Sequence, residues 1–367
     1  MKKVLATILA LVMALSVTTM AWADDVAKID GTGYATLQEA VNAANNGQTI
    51  VLQSDVVLTA SLNVAVNKTV TLDLNSYKIT ADMNGPHMIC NAGNLTITDS
   101  SANKTGEIAK IGAETNFGFV IENHGTMTLD RCKISSTSVK SSAIENGWYT
   151  ASANTAGTSC TMTIQNAEVV SVNADGGLYT VKNDDYGVMV INGGVFTNSV
   201  AGAGAVLNWN DLTINGGTFT GASAVRTLKS GSSDFETGKS QIKNGTFNGG
   251  IDTLDGYKTG ITIAVTGGTF STDVTEYLAE GKILQKNGDT YTAVTNSGIT
   301  SGTYTAKPTV PDGYKVVENT DGTFTVEKVG GYYYYQPTTD TKTTDTKGSP
   351  KTFDAGIALY VGMALTS

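Results

Sequence analysis

Short apolar segments recur along this chain, and the offsets within each segment are constant although the distance between segments varies. Each segment has a first position that is followed two and seven residues later by apolar side chains. The first positions are Met127, Met162, Met189, Leu212, Ser240 and Ile263. An offset of two places both side chains on one face of a β-strand. The sequence therefore predicts a repeated β unit whose copies lie 23 to 35 residues apart.

Two columns of equivalent residues indicate how the units stack. The position seven residues after the start is aromatic in four units, at Phe196, Phe219, Phe247 and Phe270. An asparagine ends a short apolar strand upstream of the starts, at Asn91, Asn123, Asn146, Asn183 and Asn208. We interpret the first column as a buried stack and the second as a hydrogen-bonded ladder in a turn. Long insertions repeatedly follow this column, at 147 after Asn146 and at 230 after Thr227, which replaces the asparagine in a later unit. This pattern predicts the rungs of a right-handed parallel β-helix, an all-β solenoid.

The two ends of the coil are predicted to carry different elements. Residues 34–49 predict an N-terminal capping helix whose apolar face consists of Leu37, Ala40, Val41 and Ala44. Beyond the last rung, Asn-Gly at 287–288 and Asp-Gly at 321–322 predict β-hairpins that protect the open edge. We therefore assign 24–271 to the helix-capped β-helix and 272–330 to a C-terminal hairpin segment.

Both termini indicate export and attachment to a surface. A basic start, an apolar run and the small residues around Trp22 predict a signal peptide over 1–23. Residues 331–350 form a Thr/Asp/Lys-rich spacer, and 351–367 are apolar but shorter than the roughly 20 residues of a membrane span. We interpret this tail as a truncated hydrophobic anchor. "SPKTFD" matches a sortase signal of the LPxTG form only at Pro350 and Thr352, so covalent linkage and simple membrane retention stay as alternatives.

The segment "YATLQEAVNAANNGQTIVLQ" and the strands after it resemble the N-terminal cap of pectate-lyase-like β-helix proteins. The "INGGTF" repeats resemble the rungs of surface proteins from gut-dwelling Gram-positive bacteria. The resemblance covers most of the mature chain and implies a β-helix fold and a cell-surface location. It implies no particular reaction.

Composition excludes some partners. The net charge is −9 and there are only two arginines, which argues against nucleic acid as a partner, because phosphate binding needs basic clusters. The three cysteines have no metal-ligand spacing, and we interpret them as small buried residues, with one disulfide as the alternative. The sequence predicts no metal and no cofactor.

Candidate catalytic residues are few in this sequence. Asp184 and Asp185 are the best local carboxylate pair, and we interpret them as a polar turn after the asparagine ladder. The outward column beside that ladder alternates in charge, which predicts exposed ion pairs such as Glu145 with Lys182. His87 and His124 lie at different offsets on adjacent rungs, so we expect them not to meet.

Three aromatic residues at one corner are the predicted ligand-binding residues, namely Trp148, Tyr149 and Trp209. Aromatic faces provide stacking surfaces for carbohydrate rings, although covering the edge of the core is the alternative role. The sequence thus favours a non-catalytic, adhesin-like or carbohydrate-binding protein tethered to the bacterial surface, with glycans or host or bacterial surface components as partners. The alternative is a polysaccharide lyase or glycoside hydrolase acting on uronate-containing glycans, which would need clustered carboxylates with a basic partner.

Overall fold

The computed structural model describes residues 25–330, apart from residue 86 and the segments 113–117, 138–141, 149–153, 155–156, 173–178 and 230–236. The predicted signal peptide, spacer and hydrophobic tail lie outside the described residues, as does Tyr149. In the part that is described, no helix has the length and hydropathy of a membrane-spanning segment.

The chain begins with two strands and a short helix, β1 (Ala27–Ile29), β2 (Thr32–Tyr34) and α1 (Leu37–Ala43). Thr36 and Glu39 form a reciprocal capping box at the start of α1, and the buried face includes Leu37 and Val41. The helix is shorter than the predicted 34–49, because the backbone is already extended at its C-cap, Ala44. The next strand begins at Gln48.

Three ladders of parallel strands follow. The first ladder joins β3 (Gln48–Leu52), β6 (Thr69–Asp73), β9 (Asn94–Thr98), β12 (Thr126–Ser136), β14 (Cys160–Ser171), β16 (Gly187–Ile191), β19 (Asp211–Ile214), β21 (Lys239–Ile242) and β23 (Thr262–Val265). The second joins β4 (Val56–Leu58), β7 (Lys78–Ala81), β10 (Glu107–Lys110), β12, β14, β17 (Gly194–Asn198), β20 (Thr218–Thr227), β22 (Thr246–Asp252) and β24 (Thr269–Phe270). The third joins β5 (Leu62–Val64), β8 (Ile89–Asn91), β11 (Ile121–Asn123), β13 (Ile144–Asn146), β15 (Tyr179–Asn183), β18 (Gly204–Asn208), β20 and β22.

Antiparallel strands complete the fold after the last rung. They are β25 (Lys282–Asn287), β26 (Thr290–Thr295), β27 (Gly302–Tyr304), β28 (Tyr314–Glu318) and β29 (Phe324–Lys328), preceded by a 3₁₀ turn at Thr275–Tyr277. β26 pairs with β24 and with β25, and β28 pairs with β29, so strands turn back at the two predicted hairpin sites. The architecture is all-β, rich in parallel pairing and compatible with a β-solenoid. Its handedness and the capping roles of the two ends stay predictions.

Side chains repeat in register inside the coil. Met127 lies opposite Met162, and Met162 opposite Met189, as the constant offsets require. The four phenylalanines are fully buried and stack in sequence, with neighbouring ring centroids 4.9 to 5.0 Å apart and ring planes within 8° of parallel. One continuous hydrophobic cluster joins α1, the rungs and the first C-terminal strands. The core is therefore a stack of equivalent side chains rather than a single packed layer.

The asparagines form a continuous chain of amide hydrogen bonds. Each side-chain Nδ2 donates to the Oδ1 of the asparagine on the next rung, at 2.7 Å from Asn91 and Asn123 and 2.8 Å from Asn146 and Asn183. Asn208 continues the chain to the hydroxyl of Ser240. All five are buried, so satisfying their polar atoms holds the rungs in register.

Candidate functional site

The outward side chains of the third ladder form a column beside the asparagine chain. Hydrogen-bonding register aligns Cys90, Glu122, Glu145, Lys182, Leu207, Arg226 and Asp252 on consecutive rungs. The residues just after the asparagine turns lie beside this column, and they include His124, Trp148, Asp184 and Trp209. We call the part made by His87, Cys90, Phe119, Glu122, His124, Glu145, Trp148, Lys182 and Asp184 the polar face.

Glu122 is the centre of the more exposed part of this face. Its Oε1 lies 3.3 Å from Nε2 of His87 and 3.7 Å from Nε2 of His124. The two imidazoles therefore approach the same carboxylate oxygen, an arrangement that the sequence did not predict. The offset argument placed their backbones correctly, but it ignored that both imidazoles can reach the same carboxylate from neighbouring rungs.

The imidazole of His87 is held in a defined orientation. Its ring stacks on Phe119 at a centroid distance of 5.0 Å, and the backbone N–H of Phe119 donates to Nδ1 at 3.2 Å. Because Nδ1 accepts a hydrogen bond, the proton of the neutral ring is on Nε2. His87 therefore presents a donor to Glu122 whether it is neutral or charged.

His124 is held by an aromatic partner on the next rung. Its ring lies parallel to the indole of Trp148, with centroids 3.6 Å apart. Trp148 is fixed in turn by its backbone N–H, which donates to the carbonyl of Asp185 at 2.9 Å. The residue before it must be glycine, because Gly147 has a φ of +112° and a Cβ there would lie 2.6 Å from the same carbonyl. The indole Nε1 is buried and makes no hydrogen bond with any described residue.

A buried ionic group lies on the next two rungs. The Nζ of Lys182 is 2.8 Å from Oδ2 of Asp184 and 3.7 Å from Oε1 of Glu145. The prediction of an exposed Glu145–Lys182 pair is wrong, since the two side chains are only 1% and 7% exposed. The predicted register of Glu145 with Lys182 is correct, but outer groups cover the column. One of them is Phe119, whose ring centroid is 5.7 Å from the Nζ of Lys182.

Asp184 and Asp185 lie in a turn after Asn183, closed by a hydrogen bond from the N–H of Gly187 to the carbonyl of Asp184, but both side chains are buried. Asp184 belongs to the ionic group, while Asp185 holds Trp148 through its backbone. The sequence identified Asp184 and Asp185 as the candidate catalytic residues. Glu122 and Glu145, which it did not consider as catalytic candidates, lie at the middle of the polar face. Their adjacent register was readable from the sequence, whereas their burial was not.

Burial separates the proton affinities of these groups. It raises the pKa of Glu145 well above the ordinary value, and the charges of Asp184 and Glu122 add to the effect, while Lys182 opposes it. Burial also raises the pKa of Glu122, against a hydrogen bond from Cys90. The pKa of Cys90 is raised to about 11 by burial, so its thiol keeps its proton. Burial lowers the pKa of His124. Both glutamates therefore hold a proton more strongly than an exposed glutamate does, and the effect is stronger at Glu145.

The second predicted aromatic residue lies apart from the polar face. Trp209 packs against Tyr179, Leu207 and Leu228, and meets Tyr257 edge to face at a centroid distance of 6.2 Å. Since Asn146 pairs with Asn183 and Asn183 with Asn208, Trp148 and Trp209 follow turns two rungs apart, or about 10 Å. They are two separate aromatic positions along one corner of the coil.

Other parts of the described chain have fewer candidate catalytic or metal-binding groups. A cavity of ≈ 330 Å³ between α1 and β4 has no charged lining residue. Among the described residues, no group of three or more His, Cys, Asp or Glu side chains is arranged to hold a metal ion. The polar face is therefore the best candidate site.

No protein-family model, curated protein or solved structure matches this chain. The resemblance to pectate-lyase-like surface proteins accordingly stays a prediction.

Proposed function

We propose that this chain is an exported, surface-tethered, adhesin-like protein in which a right-handed β-helix displays a carbohydrate-binding corner. The parallel ladders support the solenoid, and the predicted signal peptide and hydrophobic tail support export and attachment. The helix α1 and the antiparallel strands from β25 onward are proposed to cap its ends. Glycans or other components of host or bacterial surfaces are the proposed partners.

The observation that carries this proposal is the pair of tryptophans after the asparagine turns. Trp148 and Trp209 are both half-buried, and Tyr257 beside Trp209 is 42% exposed. Rigid aromatic side chains offer broad contact area at little entropic cost, and sugar-binding sites combine such surfaces with a few polar groups. The buried Nε1 of Trp148 supplies one such group, since it makes no hydrogen bond with any described residue.

A glycan array followed by calorimetry on the best ligand tests this function. Trp148→Ala and Trp209→Ala should each weaken binding at least tenfold, whereas Tyr314→Ala, in the distant β28, should leave the affinity unchanged. Circular dichroism and melting temperature control for folding. Full affinity in both tryptophan variants, or no binding by the wild type, would contradict the proposal.

Cleavage of glycans is the second candidate function. It is favoured by one observation, the position of Glu145 and Asp184 around Lys182, with Glu122 on the rung next to Glu145. Incubation with uronate-containing and neutral polysaccharides, with and without Ca²⁺, distinguishes its forms. Unsaturated ends would indicate a lyase, and reducing ends without unsaturation would indicate a hydrolase.

A further inference from the structure

We infer that the side chains of Lys182 and Asp184 join in an intramolecular amide bond, and that Glu145 carries the protons that this reaction moves. The bond is a covalent modification of the chain by itself, and it needs no cofactor and no bound ligand. The inference does not rest on the proposed carbohydrate binding, so each of the two can fail while the other stands.

The amino group and the carboxyl group are held in contact. The Nζ of Lys182 lies 2.8 Å from Oδ2 of Asp184. Only Asn183 separates the two residues, and its side chain is fixed in the buried amide chain. A nucleophile attacks from roughly 3–3.5 Å, and the carboxyl carbon is one bond beyond the oxygen that Nζ already touches. The fold therefore replaces a collision in solution by a contact between two fixed groups, which raises the rate through a high effective concentration.

Glu145 lies against both reacting groups. Its Oε1 is 3.7 Å from the Nζ of Lys182, and its carboxyl group also hydrogen-bonds Asp184. Oε1 is buried and makes no hydrogen bond with any described residue, so it is in place to accept a proton from the nitrogen. Burial raises the pKa of Glu145 well above its ordinary value, which favours the protonated form. A protonated acid in this position can give a proton to Asp184 and take one from Lys182.

Exclusion of water favours the amide. The side chains of Lys182 and Asp184 are each 7% exposed, that of Glu145 is 1% exposed, and the ring of Phe119 lies over Nζ. Burial penalises both charges and makes the lysine a stronger nucleophile. Formation of the amide removes one cation and one anion from the buried site. The burial that keeps an external substrate away therefore favours a reaction within the chain.

The reaction is a condensation that releases one water molecule. The ammonium of Lys182 gives a proton to the carboxylate of Asp184, and the resulting amine attacks Cγ. Glu145 gives its proton to the carbonyl oxygen and takes one from the nitrogen, which leaves two hydroxyl groups on Cγ. Glu145 then protonates one hydroxyl, the C–O bond breaks as water leaves, and the proton of the other hydroxyl returns to Glu145. One ammonium and one carboxylate become one amide and one water, and Glu145 ends as it began.

The amide closes the turn that follows the asparagine chain. Residues 182–184 become part of one covalent ring. The next carbonyl, that of Asp185, accepts the hydrogen bond from the backbone N–H of Trp148. The bond therefore fixes the turn that positions this tryptophan.

The intact mass of the purified full chain, measured after denaturation, tests the bond. The wild type should be lighter by one water molecule than its sequence requires. Lys182→Arg keeps the positive charge beside Asp184 but does not form the amide, so this variant should have its full mass. Glu145→Gln should form the bond about 10²- to 10⁴-fold more slowly in samples taken during expression, because a side-chain amide does not transfer protons as a carboxyl group does.

Digestion of the denatured protein locates the bond, with a matched ion pair as the control. The Nζ of Lys258 lies at the same 2.8 Å from Oδ1 of Asp255, but these side chains are 61% and 95% exposed, so this pair should stay ionic. Trypsin should cut after Lys258 and not after Lys182, whose charge is lost in the amide. A wild type of full mass, cleavage after Lys182, or a loss of water that persists in Lys182→Arg overturns the inference. None of these results bears on glycan binding, which the array measures separately.

Discussion

Removing one ring from the phenylalanine stack is the most direct test of the core. Phe219 has no exposed surface and lies between Phe196 and Phe247, at ring-centroid distances of 4.9 and 5.0 Å. Phe219→Ala leaves two rungs facing a void that backbone relaxation cannot close, because parallel hydrogen bonds on both sides fix the spacing of the strands.

The expected loss follows from burial and from the stacked contacts. A fully buried Phe→Ala change costs about 3–5 kcal/mol through lost transfer energy and the cavity that remains. Two ring–ring contacts, each worth about 0.5–1.5 kcal/mol beyond burial, place Phe219 in the upper half of that range. Phe270 has a phenylalanine on one side only, so Phe270→Ala should cost about 1 kcal/mol less.

Denaturant unfolding, followed by circular dichroism, measures these differences, and Val195→Ala is the matched control. Val195 is 45% exposed on the strand that carries Phe196, so its truncation should cost less than about 0.5 kcal/mol. Because solenoids can unfold rung by rung, amide exchange in the strands of the stack checks whether the loss is local. Equal stability of Phe219→Ala and Val195→Ala would refute the stacking argument.

Three further changes test the turns and the buried acid. Asn183→Ala should lower the free energy of unfolding in denaturant by about 2–4 kcal/mol, because it breaks the amide chain and leaves buried partners unsatisfied. The control Asn192→Ala, at an exposed side chain, should cost less than about 0.5 kcal/mol. Equal losses in the two variants would contradict the ladder. Gly147→Ala should lower the melting temperature and disturb the Trp148 fluorescence, and an unchanged spectrum would refute the steric argument. Since the folded pKa of Glu145 is raised, its stabilising contribution is complete below about pH 4.5 and is lost as pH rises through the folded pKa. The wild-type melting temperature should therefore fall over that range more steeply than that of Glu145→Gln, and identical slopes would exclude a neutral buried acid.

The register of the fold was largely predictable from the sequence. The strand period and the turn geometry constrain residues within a rung, so offsets of two and seven identify partners such as Met127 and Met162 without three-dimensional information. The asparagine column was readable for the same reason, because each member ends a strand of the third ladder. The contacts of the outward-facing side chains could not be predicted in this way, because no such sequence period applies to the outer surface.

The polar face shows why its chemistry could not be predicted. Alternation assigns Glu145 and Lys182 to the outer side, but it does not indicate what covers them. Their burial replaces the predicted exposed ion pair with a buried one and raises the pKa of Glu145. The approach of His87 to Glu122 depends on side-chain reach from an irregular segment and on the ring of Phe119. Such contacts leave no spacing rule in the sequence.

The position of the polar face within the coil also follows from its energetics. Burying Lys182 with two carboxyl groups carries a desolvation cost of several kcal/mol per ion, which their attraction and hydrogen bonds only partly offset. In a solenoid each rung is stabilised mainly by its immediate neighbours. Glu122, Glu145 and Lys182 occupy the third to fifth of eight strands in the third ladder, where each rung has neighbours on both sides. The asparagine chain runs beneath the same rungs and fixes their spacing. A costly charge cluster is therefore better tolerated on these interior rungs than on a terminal rung, which has a neighbour on one side only.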